Sequence, residues 1–467
     1  MSARLARSAT FAALGVVWPD DPLPANRIAA AQRTLVVLDD DPTGTQTVSD
    51  IAVVTTWDEP TLRVELARAA ACFYILTNSR SLTADASRAL HHKLAANLRA
   101  AAAATGRPVA VASRSDSTLR GHFPLETDVL AAALGPYDAT LLTPYFEAGG
   151  RYTLHGTHYV AEDDALVPAA ETPFARDAVF GYRNSHLPSW VEEKTIGRVR
   201  ASAVEIIPLD LIRRGGPAAV AARLRELRDD RVCAVDACAP RDIEVVAAAT
   251  LMAEDAGARF LYRTAASFVA ARIGQAPQDL LATHDFLAQR ASGGLILVGS
   301  HVPKTSAQLE RLLAEKDLAA IEIDVGTLLD PAQRASALAV AQARVNASLA
   351  AGRDTVLFTS RTLVTGRDDQ ANLAIGRSVS AGLIALVQGL TVAPRYLVAK
   401  GGITSSDVAT HGLGVRRARV LGQALPGVPV WGLGPEARFP GLGYVIFPGN
   451  VGGESALADL VRRLRQT

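Results

Sequence analysis

Short apolar runs of strand-forming residues alternate with longer Ala-, Leu- and Arg-rich stretches along most of the chain. This alternation is typical of parallel strands joined by helices, because parallel neighbours require a long crossover connection. The pattern stops at residues 274–293, which contain Gly and Pro but no strand-like run, and it then resumes. The chain has 467 residues, whereas a single hydrophobic core stops growing at roughly 250–300 residues. The sequence therefore predicts an α/β protein with two domains, each a largely parallel sheet flanked by helices.

The break at 274–293 sets the predicted domain boundaries. We expect an N-terminal extension over residues 1–33, a first domain over 34–273, a linker or hinge over 274–293 and a second domain over 294–467. Predicted strands lie at 34–38, 51–55, 72–77, 109–113, 139–142, 203–207, 231–234, 259–261, 294–298, 319–323, 355–358, 396–399, 415–421 and 444–447, with a long helix at 84–104. Open α/β sheets bind ligands beyond the carboxyl ends of their strands, and we expect the active site in the interdomain cleft.

Composition argues against several kinds of partner and against several cellular locations for this chain. Lys and Arg number 48 against 47 for Asp and Glu, and no basic stripe is found, so we expect no nucleic-acid partner. Cys72, Cys233 and Cys238 make neither a disulfide framework nor a metal motif, and the first and second lie in apolar runs that predict burial. No apolar run is long enough to span a bilayer, and the N-terminal residues lack a signal-peptide pattern. We therefore expect a cytoplasmic protein without a membrane partner, and we expect a homodimer although no residue pattern establishes it.

Three adjacent aspartates, Asp39, Asp40 and Asp41, follow the predicted strand at 34–38, and a Pro-Thr-Gly turn containing Thr43 comes next. Carboxylates placed side by side repel each other, so the cluster costs stability unless a cation, a donor or a proton is present. An N-capped turn with solvated aspartates is the competing structural interpretation. The position after a strand favours a ligand site.

Polar loops also follow the predicted strands at 72–77, 109–113 and 139–142. One carries Asn78 and Arg80, a second has the sequence RSDSTLR, and a third is rich in Tyr, His, Gly and Arg. Arg can grip a carboxylate through two hydrogen bonds, and an acid between two arginines keeps a depressed pKa and can accept a hydroxyl proton. Four such loops predict one substrate pocket, with candidate residues Asp39, Asp40, Asp41, Thr43, Asn78, Arg80, Arg114, Asp116, Ser117, Thr118 and Arg120.

His155 and His158 lie in the last of these loops, with Thr157 between them. Their alternation suits a β-ribbon, and no third ligand accompanies them. A structural or surface role is therefore favoured over metal ligation.

Three segments of the second domain read as strand, small-residue loop and helix. Their loops are Gly299–Ser300, Lys400–Ser406 and Pro448–Gly453. Exposed backbone N–H groups at such loops bind phosphate, and glycine lets the backbone approach the anion closely. None of the loops is a Walker A or a GxGxxG motif. Any one of them could be a simple turn, but three together in one domain favour a nucleotide site.

The segments DDDPTGTQT, TNSR, SDSTLRG, KGGITSSD and FPGNVGG, in this order, resemble the motifs of the four-carbon acid sugar kinase family. The resemblance extends from about Leu35 to about Leu457. It implies an N-terminal sugar-acid-binding domain, a C-terminal nucleotide-binding domain, and phosphorylation of threonate, erythronate or an oxo-tetronate by ATP with Mg²⁺.

The resemblance also assigns residues. It implies substrate contacts from the Asp40 loop and from Arg114, Asp116 and Arg120, and it implies ATP contacts from Ser300, Gly401, Gly402, Ile403, Thr404, Ser405, Gly449, Asn450 and Gly452. The chain departs from the family pattern where RGHF replaces a common RGN and where Ile403 replaces an acidic or amide residue. These departures concern the identity of the substrate more than the reaction.

The combined interpretation is an ATP-dependent carbohydrate kinase that acts on a hydroxyl, O4, of a four-carbon sugar acid. Asp40 or Asp116 would orient or deprotonate this hydroxyl, and the sequence does not decide between them. Metal ligands are not predicted. Two alternatives are a non-catalytic sugar-acid-binding or regulatory protein, and a sugar-phosphate aldolase or dehydratase. The second would be marked by a Schiff-base lysine or a set of His metal ligands.

Overall fold

A computed structural model describes residues 3–19, 33–276, 278–362, 364–365, 367, 369–449 and 451–465. The chain forms two compact units, Met1–Val48 with Thr56–Pro277 and Ser49–Thr55 with Gln278–Thr467. We call them the first and second units. None of the helices in these described ranges combines the length and apolar character that a membrane crossing requires. The predicted hinge at 274–293 and the predicted cleft stay predictions.

Strands recur through both units, and the predicted strands are found close to their predicted positions. In chain order they are β1 (Leu5–Ala6), β2 (Thr34–Asp39), β3 (Ile51–Val54), β4 (Cys72–Leu76), β5 (Val109–Arg114), β6 (Ala139–Thr143), β7 (Arg151–Leu154), β8 (Thr157–Glu162), β9 (Ala165–Pro168), β10 (Glu205–Ile207), β11 (Arg231–Val235), β12 (Phe260–Thr264), β13 (Leu295–Val298), β14 (Ala319–Ile323), β15 (Thr355–Thr359), β16 (Leu397–Lys400), β17 (Arg417–Leu425), β18 (Val428–Leu433) and β19 (Gly443–Phe447).

Helices connect most of these strands. They are α1 (Arg7–Ala13), α2 (Glu59–Ala67), α3 (Ala84–Thr105), α4 (Leu125–Leu134), α5 (Leu187–Lys194), α6 (Gly216–Leu224), α7 (Pro240–Asp255), α8 (Ala266–Arg272), α9 (Pro303–Leu313), α10 (Val325–Leu329), α11 (Pro331–Ala350), α12 (Asp369–Gln388), α13 (Gly402–Asp407) and α14 (Ala456–Arg465).

The first unit contains a parallel sheet in the order β10-β11-β6-β12-β5-β2-β4. Its inner strands are buried over their whole length, as β2, β4, β6 and β12 show. Helices cover both faces of such a sheet, so its strands read as continuous apolar runs in the sequence. Because β4, β2 and β5 are neighbours, the polar loops that follow them leave the sheet at the same edge.

A smaller antiparallel sheet, β1-β9-β8-β7, completes the first unit. Strands β7 and β8 form a hairpin in which Leu154 pairs with Thr157. The two turn residues, His155 and Gly156, have φ angles of 50° and 69°, as a tight hairpin turn requires. The predicted β-ribbon is confirmed, and part of the N-terminal extension adds β1 to its sheet.

The second unit is built on a sheet in the order β3-β17-β18-β19-β16-β13-β15-β14. The strands from β19 to β14 are parallel, but β3, β17, β18 and β19 are antiparallel neighbours. This sheet is therefore mixed, and the α/β fold class predicted for the chain is confirmed. Strand β3 pairs with β17, so residues 49–55 belong to the second unit although they precede most of the first.

Candidate active site

The acidic loop and the RSDSTLR loop begin side by side at the carboxyl edge of the first unit's parallel sheet. Asp39 is in register with Arg114 across β2 and β5. The Asp40 N–H donates to the Arg114 carbonyl at 3.3 Å. This alignment brings together the aspartates and arginines that the sequence predicts. We call Asp39, Asp40, Arg80, Arg114, Asp116 and Arg120 the charged cluster.

Asp40 is the most fully bonded member of the charged cluster. Arg80 donates to its carboxylate through Nε at 3.1 Å and Nη2 at 2.5 Å, and Ser115 Oγ donates at 2.7 Å. The residue is only 2% exposed. Burial alone would raise the pKa of Asp40, but the charge and hydrogen bonds of Arg80 lower it below its usual value. Asp40 is thus an ionised group whose oxygens are already occupied.

Asp39 lies beside it in a different state. Arg114 Nη1 donates to Asp39 Oδ1 at 3.1 Å, whereas the buried Oδ2 has no hydrogen-bond partner among the described residues. Burial raises the pKa of Asp39 to about 7, against the opposing charge of Arg114. Gly44 packs onto this carboxyl, because a Cβ at position 44 would lie 2.1 Å from Asp39 Oδ1. The Pro-Thr-Gly turn therefore closes directly over Asp39.

Asp116 and Arg120 form the more accessible part of the charged cluster. Asp116 Oδ2 accepts from Arg120 Nε at 2.7 Å and from the Thr118 hydroxyl. Its Oδ1 accepts no hydrogen bond from any described residue. The side chains of Asp116 and Arg120 are 14% and 24% exposed. Burial opposes ionisation of Asp116, but Arg120 and Arg80 together hold its pKa well below the usual range.

The hairpin of the small sheet contributes a further guanidinium. Arg151 at the start of β7 and Arg120 each lie 5.3 Å from the centre of the Phe174 ring. Burial lowers the pKa of Arg151, and the charge of Asp116 acts in the opposite direction. Arg120 and Arg151 thus place two positive charges near Asp116, and both lie beside the Phe174 ring.

Other predicted substrate residues shape the loops. Asp41 Oδ1 caps the turn by accepting from the Thr43 N–H at 2.9 Å. Asp41 also lies 3.7 Å from Arg80 Nη1. Asn78 has a left-handed backbone with φ of 50°, which lets the chain turn from β4 toward Arg80. For these residues the structure shows local contacts, and a ligand contact stays a prediction.

Ser117 and Thr118 are held through their backbone carbonyls. His158 Nε2 lies 2.7 Å from the Ser117 carbonyl, and the Tyr182 hydroxyl donates to the Thr118 carbonyl at 2.7 Å. Burial lowers the pKa of His158 to about 4. The neutral, buried imidazole fits the structural role that its position in the sequence favoured.

Besides Arg151, the residues Ser115, Glu126 and Arg263 of this site were missing from the predicted set. Arg263 at the end of β12 donates to Ser115 Oγ at 2.7 Å and to Glu126 Oε2 at 2.8 Å. Ser115 in turn donates to Asp40. A guanidinium within an otherwise apolar, buried strand is the signal that could have revealed Arg263. The sequence could not show that Glu126 of α4 would meet it.

The three glycine-containing loops of the second unit also leave their sheet side by side. Lys400 is in register with Val298 of β13 and Phe447 of β19. Gly401 has a φ of 108°, and a Cβ there would lie 3.1 Å from the Ser300 Cβ. A Cβ on Gly449 would lie 3.8 Å from Ser300 Oγ. These three loops, which we call the glycine loops, therefore lie close together at one edge of the sheet.

Ser405, Ile403 and Thr404 of the predicted ATP set differ from one another in burial and in the groups that they contact. The buried Ser405 hydroxyl lies 2.7 Å from the Gly401 carbonyl and 2.9 Å from the Ala399 carbonyl, so it fixes the turn. Ile403 is 58% exposed. Thr404 Oγ1 would lie 2.9 Å from a Cβ on Gly299.

The end of the third glycine loop is also tightly packed. Gly452 has a φ of 79°, and a Cβ there would lie 2.5 Å from the Ala456 Cβ. Asn450 lies outside the described residues.

Comparison with known proteins defines the class of this chain. The family model of a sugar-binding N-terminal domain matches residues 35–272, and the family model of a nucleotide-binding C-terminal domain matches residues 295–457. These two matches define a class of two-domain proteins, with a sugar-binding domain followed by a nucleotide-binding domain. The chain belongs to the four-carbon acid sugar kinase family, formerly known as DUF1537.

A 3-oxo-tetronate kinase from Cupriavidus necator is 28% identical over 360 residues, covering 75% of this chain and 77% of the relative. A structure from Salmonella typhimurium LT2, provisionally named a tRNA synthase, has a TM-score of 0.68 at 19% identity. The match covers 93% of this chain and 99% of the Salmonella chain. A Haemophilus influenzae DUF1537 structure has a TM-score of 0.60 at 17% identity, with coverages of 92% and 99%. The two structures support the fold.

Proposed function

We propose that this chain transfers the γ-phosphoryl group of ATP to a hydroxyl, O4, of a four-carbon sugar acid such as threonate, erythronate or an oxo-tetronate. The observation that carries the proposal is a ligand-type cluster in each family domain. The sugar-binding domain has paired carboxylates and guanidinium groups, and the nucleotide-binding domain has three converging glycine loops. The name of the Cupriavidus necator relative supports the substrate class.

Arg120 is the proposed anchor for the acid group of the substrate. Its side chain is the most exposed of the three arginines that pair with acids in the charged cluster, at 24% against 19% for Arg80 and 6% for Arg114. A planar guanidinium can bind a carboxylate through two parallel hydrogen bonds. Arg151, which also lies 5.3 Å from the centre of the Phe174 ring, adds a second positive charge.

Asp116 is the carboxylate that we propose receives the substrate hydroxyl. Its Oδ1 is not used by any described residue, whereas both oxygens of Asp40 are bonded. The low pKa of Asp116 keeps it ionised and able to orient the hydroxyl. Phosphoryl transfer has a loose transition state, so orientation and charge neutralisation matter more than the strength of the base.

Asp40 acts as a positioning residue in this mechanism. It fixes Arg80 through two hydrogen bonds and receives a third from Ser115, which also contacts Arg263. Charged groups held in a buried network lose little order when a ligand binds. The network therefore presents Arg80 in one orientation at the edge of the substrate site.

The nucleotide phosphates are proposed to lie against the glycine loops, where Ser300, Gly401 and Gly449 approach each other. Mg²⁺ would accompany the nucleotide and neutralise charge on its phosphates. Such an ion commonly takes most of its ligands from phosphate and water. This fits the chain, since no group of three or more His, Cys, Asp or Glu side chains that could hold an ion occurs among the described residues.

The direct test is acid-dependent release of ADP. The chain is incubated with ATP and Mg²⁺ and with a panel of threonate, erythronate and oxo-tetronate stereoisomers. Erythritol and threitol, which have the hydroxyls but no carboxylate, serve as controls. We expect ADP release with at least one acid and little with either control or with no acceptor. Equal ADP release with and without an acid would contradict the proposal.

A further inference from the structure

Lys400 is a buried charged residue to which the mechanism above gives no role. It is the last residue of β16, directly before Gly401, and it is 0% exposed. Its Nζ donates to the Pro448 carbonyl at 2.5 Å and lies 3.3 Å from the Gly449 carbonyl. The ammonium also lies 4.2 Å from the centre of the Phe447 ring. Lys400 thus joins two of the three glycine loops.

The surroundings of this ammonium contain dipoles rather than a counter-charge. No carboxylate among the described residues lies within ion-pair distance of Lys400. Strand β19 presents the Phe447 ring and the loop after it presents two carbonyls, while Lys304 of α9 is a like charge. Burial, with a further contribution from Lys304, lowers the pKa of Lys400 to about 7. A bound anion nearby would stabilise the charged form.

Peptide geometry shows what the contact with Pro448 does. The Pro448–Gly449 peptide is not among the cis peptides of the described chain. In a trans peptide the carbonyl and the following N–H point to opposite sides. Because the Pro448 carbonyl faces Lys400, the Gly449 N–H points away from it, and this N–H donates to no described residue. Thr305 Oγ1 also donates to the Gly449 carbonyl, at 3.1 Å.

We propose that Lys400 is a positioning residue for the nucleotide: its ammonium holds the Pro448 and Gly449 carbonyls inward, so that the Gly449 N–H faces a phosphate group. The inference rests on the proposed function and extends it to a residue that does not touch the ligand. A cation on the carbonyl side of a peptide also polarises its N–H and makes it a stronger donor. Lys400 therefore supplies both the orientation of the donor and part of the positive charge that favours the anion.

A dependence on pH follows from this arrangement. In the free protein Lys400 loses its proton near pH 7, and a bound phosphate raises that pKa. Nucleotide affinity should then be highest below pH 7 and should fall as the pH rises above it. Binding between about pH 7 and 8 should take up a fraction of a proton, which grows with the rise in the pKa of Lys400.

Calorimetry with Mg²⁺–ATP, without sugar acid, measures both quantities. Titrations in two buffers of different ionisation enthalpy give the number of protons taken up at each pH. We expect Lys400→Met, which keeps the length of the side chain, to weaken binding by about tenfold or more at pH 7. Its proton uptake and the pH dependence above pH 7 should disappear. Lys316→Met, which removes an exposed lysine from the same unit, should change neither.

A second variant separates orientation from charge. Thr305→Val removes the other hydrogen bond to the Gly449 carbonyl and leaves Lys400 in place. We expect binding about two- to fivefold weaker, with proton uptake as in the wild type. The wild-type titrations need no variant, so they test the inference even where Lys400→Met does not fold.

The outcomes separate the two proposals. Wild-type protein that binds no ATP would refute the proposed function together with this inference. Wild-type protein that binds ATP with no proton uptake between pH 7 and 8 would refute the inference alone. A folded Lys400→Met variant whose affinity for ATP is within twofold of the wild-type affinity would also refute the inference alone.

Discussion

The charged cluster and the glycine loops differ in the chemical groups that they present. The charged cluster consists of side chains: three aspartates and three arginines that hold each other by ion pairs of 2.5–3.8 Å. The glycine loops consist mainly of backbone, and a buried lysine, Lys400, lies behind two of them. A sugar acid is small and carries its identity in a carboxylate and hydroxyls, whereas the phosphates of a nucleotide are bound well by N–H groups.

The difference has a consequence for mutation. Removing a charge should matter most in the first cluster, because each ion there is buried with its partner. Adding a single methyl group should matter most in the second, because the backbone of one loop packs against the next. Four substitutions test this contrast, from the largest expected effect to the smallest.

Asp116→Asn should lower kcat by about 100- to 10,000-fold, the range typical of losing a positioned general base. The substitution keeps the shape of the side chain but removes the charge that orients the hydroxyl. Steady-state kinetics with saturating ATP and sugar acid measures the effect. Asp177→Asn is the matched control, because Asp177 also faces Arg120, at 3.7 Å. Equal losses in both variants would remove Asp116 from its proposed role.

Arg120→Ala should raise the KM for the sugar acid by about 10- to 100-fold, the worth of charge-assisted hydrogen bonds. The KM for ATP should change by less than about threefold, since no nucleotide contact is assigned to Arg120. Arg200→Ala, which removes an exposed arginine paired with Glu192, is the control for general loss of charge. An equal rise in both Michaelis constants would mean that Arg120 does not distinguish the two ligands.

Gly401→Ala should weaken ATP binding by about tenfold while leaving sugar-acid binding unchanged. Gly401 has a φ of 108°, which L residues avoid, and its Cβ would lie 3.1 Å from the Ser300 Cβ. Gly441→Ala is the control: Gly441 has a φ of 74° but open space around its Cβ position. Calorimetry on folded variants decides. Similar ATP affinities for the two variants would show that backbone strain alone, rather than the glycine loops, sets the effect.

Asp39→Asn should have the smallest effect, and a pH-dependent one. Folded wild-type protein keeps the Asp39 proton up to about pH 7, whereas the unfolded chain releases it near pH 4. Wild-type stability therefore falls as the pH rises through this window, and Asn does not titrate. The variant should gain about 1 kcal/mol over the wild type between pH 6 and pH 7. Urea unfolding at the two pH values measures this gain, and a constant difference would show that Asp39 is already ionised at pH 6.

Much of the fold could be predicted from the sequence because most strands are short, apolar and bounded by helices. The long helix predicted at 84–104 is found as α3, Ala84–Thr105. Strand β18 was missed because the segment around it, LPGVPVWGL, is rich in Pro and Gly. The pairing of β3 with β17 was also missed, since hydrophobic periodicity shows that a strand exists but gives no information about a distant partner.

The residues of the candidate site also differ in whether the sequence could reveal them. Residues in loops after strands, such as Asp40 and Arg120, could be found because the carboxyl ends of parallel strands meet at one edge. Glu126 could not, because it meets Arg263 through a buried contact between elements far apart in the sequence. The roles of Asp40 and Asp116 also required coordinates, since only the bonding of each oxygen separates an occupied carboxylate from an available one.

The central claim is that this chain makes a phosphate ester of a four-carbon sugar acid, and product analysis tests it most directly. The acid that releases ADP is incubated with ATP and Mg²⁺, and the product is examined by ³¹P NMR with coupling to the carbon-bound protons. The account predicts one phosphomonoester per ADP, with phosphorus coupled to the two protons on C4. ADP accompanied by inorganic phosphate alone, with no ester formed, would contradict it.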